Sequence, residues 1–511
     1  MTALDPIQER VVDRVCAGRS VVFTGSAGTG KTFLLNVILQ RLREKYGEDE
    51  FKDRVAVTAM TGIAATHIQG TTFNAVIGLR VPTTYANFMC MLRKDNVTRI
   101  CRLDMLVVDE CSMMSAELFE LFVFMMAMIR RKSQPAGDLQ LVFSGDFFQM
   151  PPVCKQQQLS KDIDANAFTN FGYAFQAPSW PLVFQREDHI MLTNIFRQAD
   201  ACFAAQLNTI RVGTADAIAT LADLVAACSR PVECADGIKP TQVYARNADV
   251  DRVNTAELLA LPGEPVTYAA IDEVVLRSAL TSNNSSTSNN VSAKDHFKDC
   301  MASASLQLKV GAQVMLLKNL DTAAGLVNGS RGVVVAFLSK ARALQEAREY
   351  LGAAQLADAA LACAKTPAVQ VVPVVRFVNG RELAVTPALF VQQILGRGEC
   401  RRVQLPLKLA WTVTIHKSQG LTLDAVQVSL SGMFVPGQAY VALSRARTLS
   451  GLEILDWDRR VVPPDEGVRE FYASLEASEP APSGAWDAFC IRRWGRPGVT
   501  ARELLDMRRA T

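Results

Sequence analysis

The stretch Val21-Val22-Phe23-Thr24-Gly25-Ser26-Ala27-Gly28-Thr29-Gly30-Lys31-Thr32-Phe33-Leu34-Leu35 decides the fold of this chain. A short apolar run meets a glycine-rich loop, and an apolar helical segment follows. This order of strand, loop and helix is typical of a phosphate-binding loop. Glycines let the loop bring its N–H groups close to an anion, and the dipole of the next helix adds positive potential. We therefore expect a nucleotide site rather than a structural turn.

Two side chains at the end of this loop carry chemistry. Lys31 is expected to reach the β- and γ-phosphates of ATP, and the hydroxyl of Thr32 is expected to hold Mg²⁺. The loop residues expected to surround the phosphates are Gly25, Ser26, Ala27, Gly28, Thr29 and Gly30.

Composition narrows the function classes. The chain has 511 residues and a net charge of only +3, so several domains are expected and nucleic-acid contact must come from local basic patches. The twelve cysteines include no Cys-x-x-Cys pair, and with four histidines they argue against a zinc site. No apolar run approaches the roughly 18 residues that span a membrane. A helical pattern begins at Leu4, which leaves no room for a targeting peptide, and we expect an intracellular protein without membrane contact.

Two polar residues, Gln8 and Thr61, each allow two interpretations. Asp5 and Pro6 begin a helix in which Gln8 can face the nucleotide and pair with an adenine edge. As a lone residue Gln8 would equally be a solvated helix position. Thr61 follows a second β-run and enters a helix of small residues. Its hydroxyl suits a nucleic-acid phosphate, although tight packing of that helix on the sheet explains the pattern as well.

Two further strands end in chemical groups. A buried strand, Met105 to Val108, leads into Asp109 and Glu110. Asp109 is expected to hold Mg²⁺ and Glu110 to deprotonate the attacking water. The next strand delivers Gln149, which can sense the γ-phosphate from the carboxyl end of the sheet. The alternation of strands and helices up to this point predicts an α/β fold, a doubly wound domain over residues 1–188.

The remainder predicts a second α/β domain with an insertion. Residues 189–262 and 406–475 show α/β alternation, and 263–405 show hairpin patterns of a small β-barrel. Within the insertion, 281–292 is polar and predicted to be disordered, and 339–364 is alanine-rich and predicted to be helical. Two interpretations fit the basic tail, 476–511. It could contact a nucleic-acid strand, but the preferred interpretation is a helix that packs on the core and keeps its basic face in water.

Six stretches of the chain are the most specific. They are Gly145-Asp146-Phe147-Phe148-Gln149-Met150-Pro151-Pro152-Val153, Phe196-Arg197-Gln198, Leu308-Lys309-Val310-Gly311-Ala312-Gln313-Val314-Met315, Leu326-Val327-Asn328-Gly329-Ser330, His416 to Thr422 and Tyr440 to Arg447. Together with the phosphate loop they resemble the petite-integration-frequency (PIF) family of superfamily 1B DNA helicases, relatives of the RecD-type helicases. The resemblance runs from Leu4 to about Leu455.

The resemblance implies two RecA-like P-loop NTPase domains with an SH3-like barrel inserted in the second. It implies ATP and Mg²⁺ as cofactors and 5′-to-3′ movement along single-stranded or forked DNA, by a monomer or by copies that assemble on DNA. Replication, repair, recombination and telomere maintenance follow as expected roles, in the nucleus ahead of the mitochondrion. Arg197 and Arg445 would reach the γ-phosphate from the second domain, and Gly420 would approach the nucleotide. Thr61, His416 and Ser418 would lie along the DNA.

The chain departs from the family pattern at one motif. Where the family usually carries Thr-x-His-Ser, this chain has Thr72-Phe73-Asn74-Ala75. The resemblance therefore does not extend to the DNA contact that the family makes near the strand-separating wedge. Two alternatives stay open at this point: a translocase or RNA-directed relative that does not unwind DNA, and a nucleotide-binding scaffold without catalysis.

Overall fold

The computed structural model describes residues 4–79, 82, 84–153, 168–232, 238–245, 247–276, 302–318, 320–321, 326, 329–348, 353–366, 370–394 and 398–476. The described residues form two compact units. The first contains those of Met1–Ala217, Phe434–Tyr440 and Val462–Thr511, and the second contains those of Ile218–Met433 and Val441–Val461. The segment predicted to be disordered, 281–292, and the tail after residue 476 lie outside the described residues.

A six-stranded parallel sheet forms the centre of the first unit. Its strands are β1 Val21–Gly25, β2 Val55–Ala59, β3 Thr71–Thr72, β4 Met105–Asp109, β5 Gln140–Gly145 and β6 His189–Leu192, in the order β3-β2-β4-β5-β1-β6. Continuous apolar runs such as those of β1 and β4 suit strands that are covered on both faces. The predicted α/β fold is confirmed.

Helices cover this sheet. Their bounds are α1 Pro6–Cys16, α2 Lys31–Tyr46, α3 Glu48–Arg54, α4 Gly62–His67, α5 Phe73–Val76, α6 Lys94–Ile100, α7 Ala116–Arg130, α8 Trp180–Val183 and α9 Ala201–Val212. The apolar side of α2 packs on the sheet, where Leu34 and Leu35 are fully buried in one cluster with Val11, Phe23 and Val107. Burying apolar side chains of this size stabilises the fold by about 2 kcal/mol each.

The first unit extends further along the chain than the sequence predicted. The predicted domain boundary was residue 189, but β6 pairs in parallel with β1 from Val22↔His189 to Gly25↔Leu192. Because that pairing lies inside the first sheet, residues up to Ala217 belong to the first unit. The predicted end of the second domain at 475 also differs, since the described residues of Val462–Thr511 return to the first unit.

The second unit contains a four-stranded parallel sheet and its helices. The strands are β7 Thr241–Tyr244, β18 Thr412–Thr414, β19 Val426–Ser429 and β20 Leu452–Asp456, in the order β18-β7-β19-β20. The helices are α10 Ala217–Cys228, α11 Asn247–Ala260 and α14 Ile415–Ser418. Helix α15, Gln438–Leu443, has its residues up to Tyr440 in the first unit and its residues from Val441 in the second. Helix α16, Glu466–Glu476, follows β20 and belongs to the first unit.

Antiparallel strands are inserted between β7 and β18. They are β8 Val266–Ala269, β9 Ile271–Leu276, β10 Ser305–Leu308, β11 Gln313–Leu316, β12 Arg331–Ser339, β13 Val371–Phe377, β14 Glu382–Ala384, β15 Ala388–Ile394, β16 Gly398–Gln404 and β17 Leu407–Leu409. Five of them form the sheet β14-β13-β12-β11-β17, so the insertion extends past the predicted limit of residue 405. The alanine-rich segment forms two helices between β12 and β13, namely α12 Lys340–Ala347 and α13 Ala353–Lys365. Among the residues described, no helix is long and apolar enough to cross a bilayer.

Candidate functional site

The phosphate-loop sequence joins β1 to α2 through two glycines with left-handed backbones. Gly28 has φ of 90° and Gly30 has φ of 79°, a region that residues with a Cβ adopt at a cost. A Cβ on Gly28 would lie 2.6 Å from the Cβ of Arg197, so this position also needs glycine for space. Gly30 caps α2 without a side-chain hydrogen bond, which leaves the first N–H groups of the helix facing the loop. Unpaired N–H groups at the start of a helix favour the binding of an anion there.

Lys31 lies at the centre of the loop. Its Nζ donates to the carbonyl oxygens of Gly25 at 2.7 Å and Ser26 at 3.0 Å. Burial lowers the pKa of Lys31, while the negative charges of Asp146 and Glu110 act in the opposite direction. A cation held against two carbonyls in a partly desolvated position interacts strongly with any phosphate that enters the loop.

Asp109 is the last residue of β4, which lies two strands away from β1, and Glu110 follows it directly. Asp109 is 4% exposed, and burial raises the pKa of its carboxyl group. Its Oδ1 accepts a hydrogen bond of 2.9 Å from the N–H of Glu110. The backbone of Glu110 is left-handed, with φ of 54°, which is unfavourable for a residue other than glycine. Strained backbone of this kind clusters at functional sites.

The donor set near the loop suits one type of metal. The described part of the chain contains no group of three or more His, Cys, Asp or Glu residues that could hold an ion by themselves. Thr32 and Asp109 offer a hydroxyl and a carboxylate, which are hard oxygen ligands. Mg²⁺ typically takes one or two such protein ligands and completes its octahedron with phosphates and water. The residues present therefore fit Mg²⁺ bound together with a nucleotide.

Gln149 belongs to a turn that follows β5 and is held by Asp146. The Nε2 of Gln149 donates to Asp146 Oδ2 at 3.1 Å. Arg211, from α9, donates to both oxygens of Asp146, through Nε at 2.9 Å and Nη2 at 2.7 Å. Burial alone would raise the pKa of Asp146, but the guanidinium of Arg211 outweighs it and holds that pKa below its usual value. Asp146 therefore stays ionised and fixes one donor of Gln149.

The region next to Gly30 combines Gln8 with an exposed ring. Gln8 completes a capping box with Asp5, accepting from the N–H of Asp5 at 3.2 Å and donating its own N–H to Asp5 Oδ1 at 2.8 Å. Its amide nitrogen would lie 3.3 Å from a Cβ on Gly30. Phe196 is 62% exposed and would contact the same Cβ at 3.6 Å. The sequence interpretation assigned no role to Phe196, although an aromatic residue directly before Arg197 was a signal for one.

Arg197 lies in the same unit as the phosphate loop. The N–H of its neighbour Phe196 donates to the carbonyl of Gly28 at 2.8 Å, which brings this segment over the loop. Burial lowers the pKa of Arg197, and the nearby Tyr440 and Glu110 oppose that shift. The expectation that Arg197 reaches the nucleotide from the second domain is wrong, because the strand that precedes it is part of the first sheet.

Arg445 is fully enclosed within the second unit. It is 1% exposed, and its guanidinium donates to the carbonyl of Val441 at 2.7 Å, that of Leu421 at 3.2 Å and that of Ser418 at 3.3 Å. A fourth bond of 2.8 Å reaches Ser444 Oγ. In this arrangement Arg445 ties α15 to the turn after α14, and its role towards a γ-phosphate stays a prediction.

The residues expected along DNA differ in accessibility. Ser418 is completely buried, and its hydroxyl donates to the carbonyl of Ile415 at 2.8 Å, so it does not present a surface for DNA in this structure. His416 is partly buried, which lowers its pKa. Thr61 accepts a hydrogen bond of 3.2 Å from the N–H of Ala64 and so caps the start of α4. Gly420 is exposed with φ of 81° just after α14.

Two tyrosines at the site were missed by the sequence interpretation. The hydroxyl of Tyr440 accepts from the N–H of Ala27 at 2.6 Å, inside the phosphate loop. The hydroxyl of Tyr472, from α16, contacts Thr24 and Asp146. Both tyrosines lie more than 300 positions from their partners, and local patterns carry no signal for such contacts.

Two family models match parts of this chain. Residues 2–217 match the family model described as PIF1-like helicase, and residues 298–337 match the one described as DNA helicase Pif1, 2B domain. The chain is 37% identical over 474 residues to the ATP-dependent DNA helicase PIF1 of Mus musculus. That match covers 92% of this chain and 62% of the mouse protein, so the chain spans less than two thirds of this relative.

Two solved structures of Pif1 helicases are also similar to this chain. The crystal structure of Pif1 helicase from Candida albicans is 34% identical with a TM-score of 0.69, and the match covers 93% of this chain and 100% of that one. The structure of Pif1 helicase from Bacteroides in complex with ADP-AlF3 and ssDNA is 26% identical with a TM-score of 0.56, covering 94% of this chain and 98% of that one.

Proposed function

Because this chain belongs to the family of PIF1-like helicases, we propose that it is an ATP-dependent DNA helicase that moves 5′-to-3′ on single-stranded DNA and opens forks. One observation carries the proposal. The carboxyl ends of β1, β4 and β5 lie at one edge of the parallel sheet and deliver Lys31, Asp109, Glu110 and Gln149 to it. Ligands of open parallel sheets bind at that edge.

In this proposal each side chain has a task on ATP. The N–H groups at the start of α2 and the amine of Lys31 bind the β- and γ-phosphates. Thr32 and Asp109 hold Mg²⁺, which when bound would neutralise phosphate charge. Glu110 accepts a proton from the attacking water. Gln149 keeps one N–H for an oxygen of the γ-phosphate, because Asp146 occupies the other N–H, and its carbonyl oxygen can accept from the attacking water.

The adenine end of the site uses Phe196 and Gln8. An exposed ring beside Gly30 offers a flat surface on which a base can stack, and stacking contributes about 1 to 3 kcal/mol per base. We propose that the side-chain amide of Gln8, which lies beside Gly30, donates to a ring nitrogen of adenine. Arg197 lies close enough to Glu110 to interact with its charge, and we propose that it contacts the γ-phosphate from within the first unit.

The remaining assignments are proposals of the same kind. The match of residues 298–337 to a 2B domain and the five-stranded antiparallel sheet support an SH3-like insertion. The relative solved with single-stranded DNA supports that ligand for this chain. Roles in DNA replication, repair, recombination or telomere maintenance, in the nucleus or mitochondrion, follow only if the helicase activity is present. Thr61 and His416 remain the proposed DNA contacts, and Gly420 a proposed nucleotide contact.

The test combines ATP turnover with strand displacement. Turnover would be measured with and without single-stranded DNA, and unwinding would be measured on duplexes with a 5′ tail, a 3′ tail or both. We expect DNA to stimulate turnover and a 5′ tail to be necessary and sufficient for opening. Stimulated turnover without opening would favour the translocase alternative, and RNA forks in the same assay test the RNA-directed one. Absence of turnover would leave a nucleotide-binding scaffold.

A further inference from the structure

We propose that Tyr472 is a positioning residue for ATP hydrolysis, whose hydroxyl, together with Arg211, fixes the turn that presents Gln149 to the γ-phosphate. The proposal rests on the proposed ATPase function. It concerns a side chain of α16 that no motif of the chain points to. Phe471 of the same helix stacks on Phe175 with ring centroids 4.3 Å apart, so α16 is firmly packed in the first unit.

The hydroxyl of Tyr472 makes three hydrogen bonds. It contacts Thr24 Oγ1 at 2.5 Å, Asp146 Oδ1 at 3.1 Å and the backbone N–H of Phe147 at 3.1 Å. An ionised carboxylate and an N–H leave no choice of direction, so the hydroxyl donates to Asp146 and accepts from Phe147. Thr24 is then the donor of the third bond. Burial, and then the charge of Asp146, raise the pKa of Tyr472, so its proton is retained at any working pH.

This hydroxyl connects two functional segments. Thr24 is the residue before Gly25, where the phosphate loop begins, and Asp146 begins the turn that contains Gln149. Strands β1 and β5 already pair with each other in the sheet. The Tyr472 hydroxyl adds a further link between them, at the place where the phosphate loop leaves β1 and the turn with Gln149 leaves β5. The distance between the loop and Gln149 therefore depends on it.

Arg211 holds the same turn from another direction. It forms the two-bonded ion pair with Asp146, and its guanidinium lies 4.7 Å from the ring centroid of Phe148 and 5.3 Å from that of Tyr472. The two rings are themselves stacked, with centroids 4.6 Å apart and an angle of 19° between their planes. This stack holds the side chains of the turn in place. Asp146, which is held with them, in turn positions Gln149 by accepting the hydrogen bond of 3.1 Å from its Nε2.

A catalytic consequence is expected because γ-phosphate chemistry is sensitive to placement. A shift of about 1 Å in a reacting group can lower turnover by about a hundredfold. Nucleotide affinity, in contrast, comes mainly from the phosphate loop, which keeps its own contacts when the Tyr472 hydroxyl is absent. The structure therefore separates an effect on kcat from an effect on KM.

The experiment uses the full chain and removes only the hydroxyl. Tyr472→Phe keeps the stack on Phe148, and we expect kcat of DNA-stimulated ATP hydrolysis to fall by about 10- to 100-fold, with KM for ATP changed less than about twofold. Tyr85→Phe is the matched control, because it also removes a buried hydroxyl of the first unit, one that donates to Glu117. We expect that control to retain kcat. An unchanged kcat in folded Tyr472→Phe would overturn the proposal.

A second comparison tests whether the effect passes through Gln149. In a Gln149→Ala background, Tyr472→Phe should cost less than about twofold in kcat, because the group that it positions is gone. Losses that multiply would overturn the proposal. Should Tyr472→Phe fold poorly, Arg211→Lys gives the same test, since lysine keeps the charge without the paired donors. Wild-type protein without ATPase activity would contradict the proposed function itself, whereas an active enzyme that ignores Tyr472→Phe contradicts only this inference.

Discussion

The backbone N–H of Ala27 donates a hydrogen bond of 2.6 Å to the hydroxyl oxygen of Tyr440, which lies 413 positions later in the chain. Both residues belong to the first unit. Ala27 is part of the phosphate loop, whose N–H groups are expected to donate hydrogen bonds to the phosphates of ATP. The Tyr440 hydroxyl and a phosphate oxygen therefore compete for the same donor.

Removing this competitor should change nucleotide affinity. A hydrogen bond of this type contributes about 1 kcal/mol, so Tyr440→Phe should tighten ATP binding by up to about fivefold. Equilibrium titration with a fluorescent ATP analogue measures the change. Weaker binding in the variant would mean that the hydroxyl contacts the nucleotide directly.

Lys31→Ala should reduce ATP hydrolysis to background. The substitution removes the loop's only side-chain cation, which the proposal places on the β- and γ-phosphates. Phosphate release under saturating DNA measures the effect. Lys45→Ala, at the exposed end of the same helix, is the matched control and should keep wild-type turnover. Near-normal turnover in Lys31→Ala would end the assignment of this loop.

Glu110→Gln should bind ATP and DNA but stop turnover. The amide cannot accept the proton of the attacking water, while Asp109 still provides its carboxylate for the metal. Affinity and turnover should be measured on one preparation. If nucleotide binding is lost as well, Glu110 has a structural role instead.

Glu110→Gly should make the protein more stable as well as inactive. The left-handed backbone at this position, φ of 54°, costs about 1 kcal/mol for a residue with a Cβ, and glycine removes that cost. A higher midpoint of unfolding together with lost turnover would show strain that is retained for function. A lower midpoint would contradict this explanation.

The free energy of unfolding should fall in mild acid because of the buried His189. Its Nε2 accepts from Trp180 Nε1 at 3.0 Å and its Nδ1 lies 2.9 Å from the carbonyl of Gln185, so the neutral ring satisfies both partners. Burial lowers the pKa of His189 from 6.5 to about 4. Between those values the unfolded chain binds a proton that the folded chain does not. Stability is therefore complete above pH of about 6.5 and is lost as the pH falls towards about 4, by about 3 kcal/mol.

The variant His189→Gln isolates that contribution. Urea unfolding followed by tryptophan fluorescence at several pH values gives the slope for each protein. We expect the variant to be less stable at neutral pH and to show a smaller loss between pH of about 6.5 and 4. Equal slopes would mean that other groups account for the acid sensitivity.

Arg445→Ala should destabilise the second unit. The guanidinium donates to three backbone carbonyls in a position that is 1% exposed. Its removal takes away the donor to the buried carbonyl of Leu421, whereas the carbonyls of Ser418 and Val441 keep the bonds from the N–H of Leu421 and from Ser444 Oγ. We expect the free energy of unfolding to fall by about 2 to 3 kcal/mol. Arg447→Ala, an exposed neighbour, is the control and should change it by less than about 0.5 kcal/mol.

Turnover in the same variant tests the remaining role. Where Arg445→Ala is still folded, a loss of about a thousandfold in turnover would support an arginine finger. A loss smaller than about tenfold would limit Arg445 to its structural contacts.

The sequence predicts the parts of this site that are local in the chain. The glycine loop with Lys31, the carboxylates after β4 and the turn that contains Gln149 each follow a strand that is recognisable from its own residues. Because the strands are parallel, their carboxyl ends share one edge, and the site follows from the fold class. The capping box of Asp5 and Gln8 is equally local.

The sequence fails where partners are distant. The sequence interpretation placed the boundary before residue 189, because no local pattern shows that the strand His189–Leu192 pairs with β1, so the extent of the first unit was missed. Tyr440, Tyr472 and Arg211 find their partners only through the tertiary fold. Burial decides the case of Ser418, since its motif carries no information on whether the hydroxyl faces solvent.

The return of α16 to the first unit has a consequence for the order of biosynthesis. Tyr472 leaves the ribosome 326 residues after Asp146, a delay of roughly 16 to 65 s at the usual elongation rate of about 5–20 residues per second. Throughout that interval the nascent chain has its phosphate loop but lacks the aromatic side chains that complete the core beneath it. A reading frame interrupted between Arg445 and α16 would yield a polypeptide that has every ATPase motif but lacks Phe471 and Tyr472. The rings of Phe147 and Phe175 would then lose their contacts with Phe471, and we expect such a chain to be a substrate for chaperones and proteases rather than a smaller enzyme.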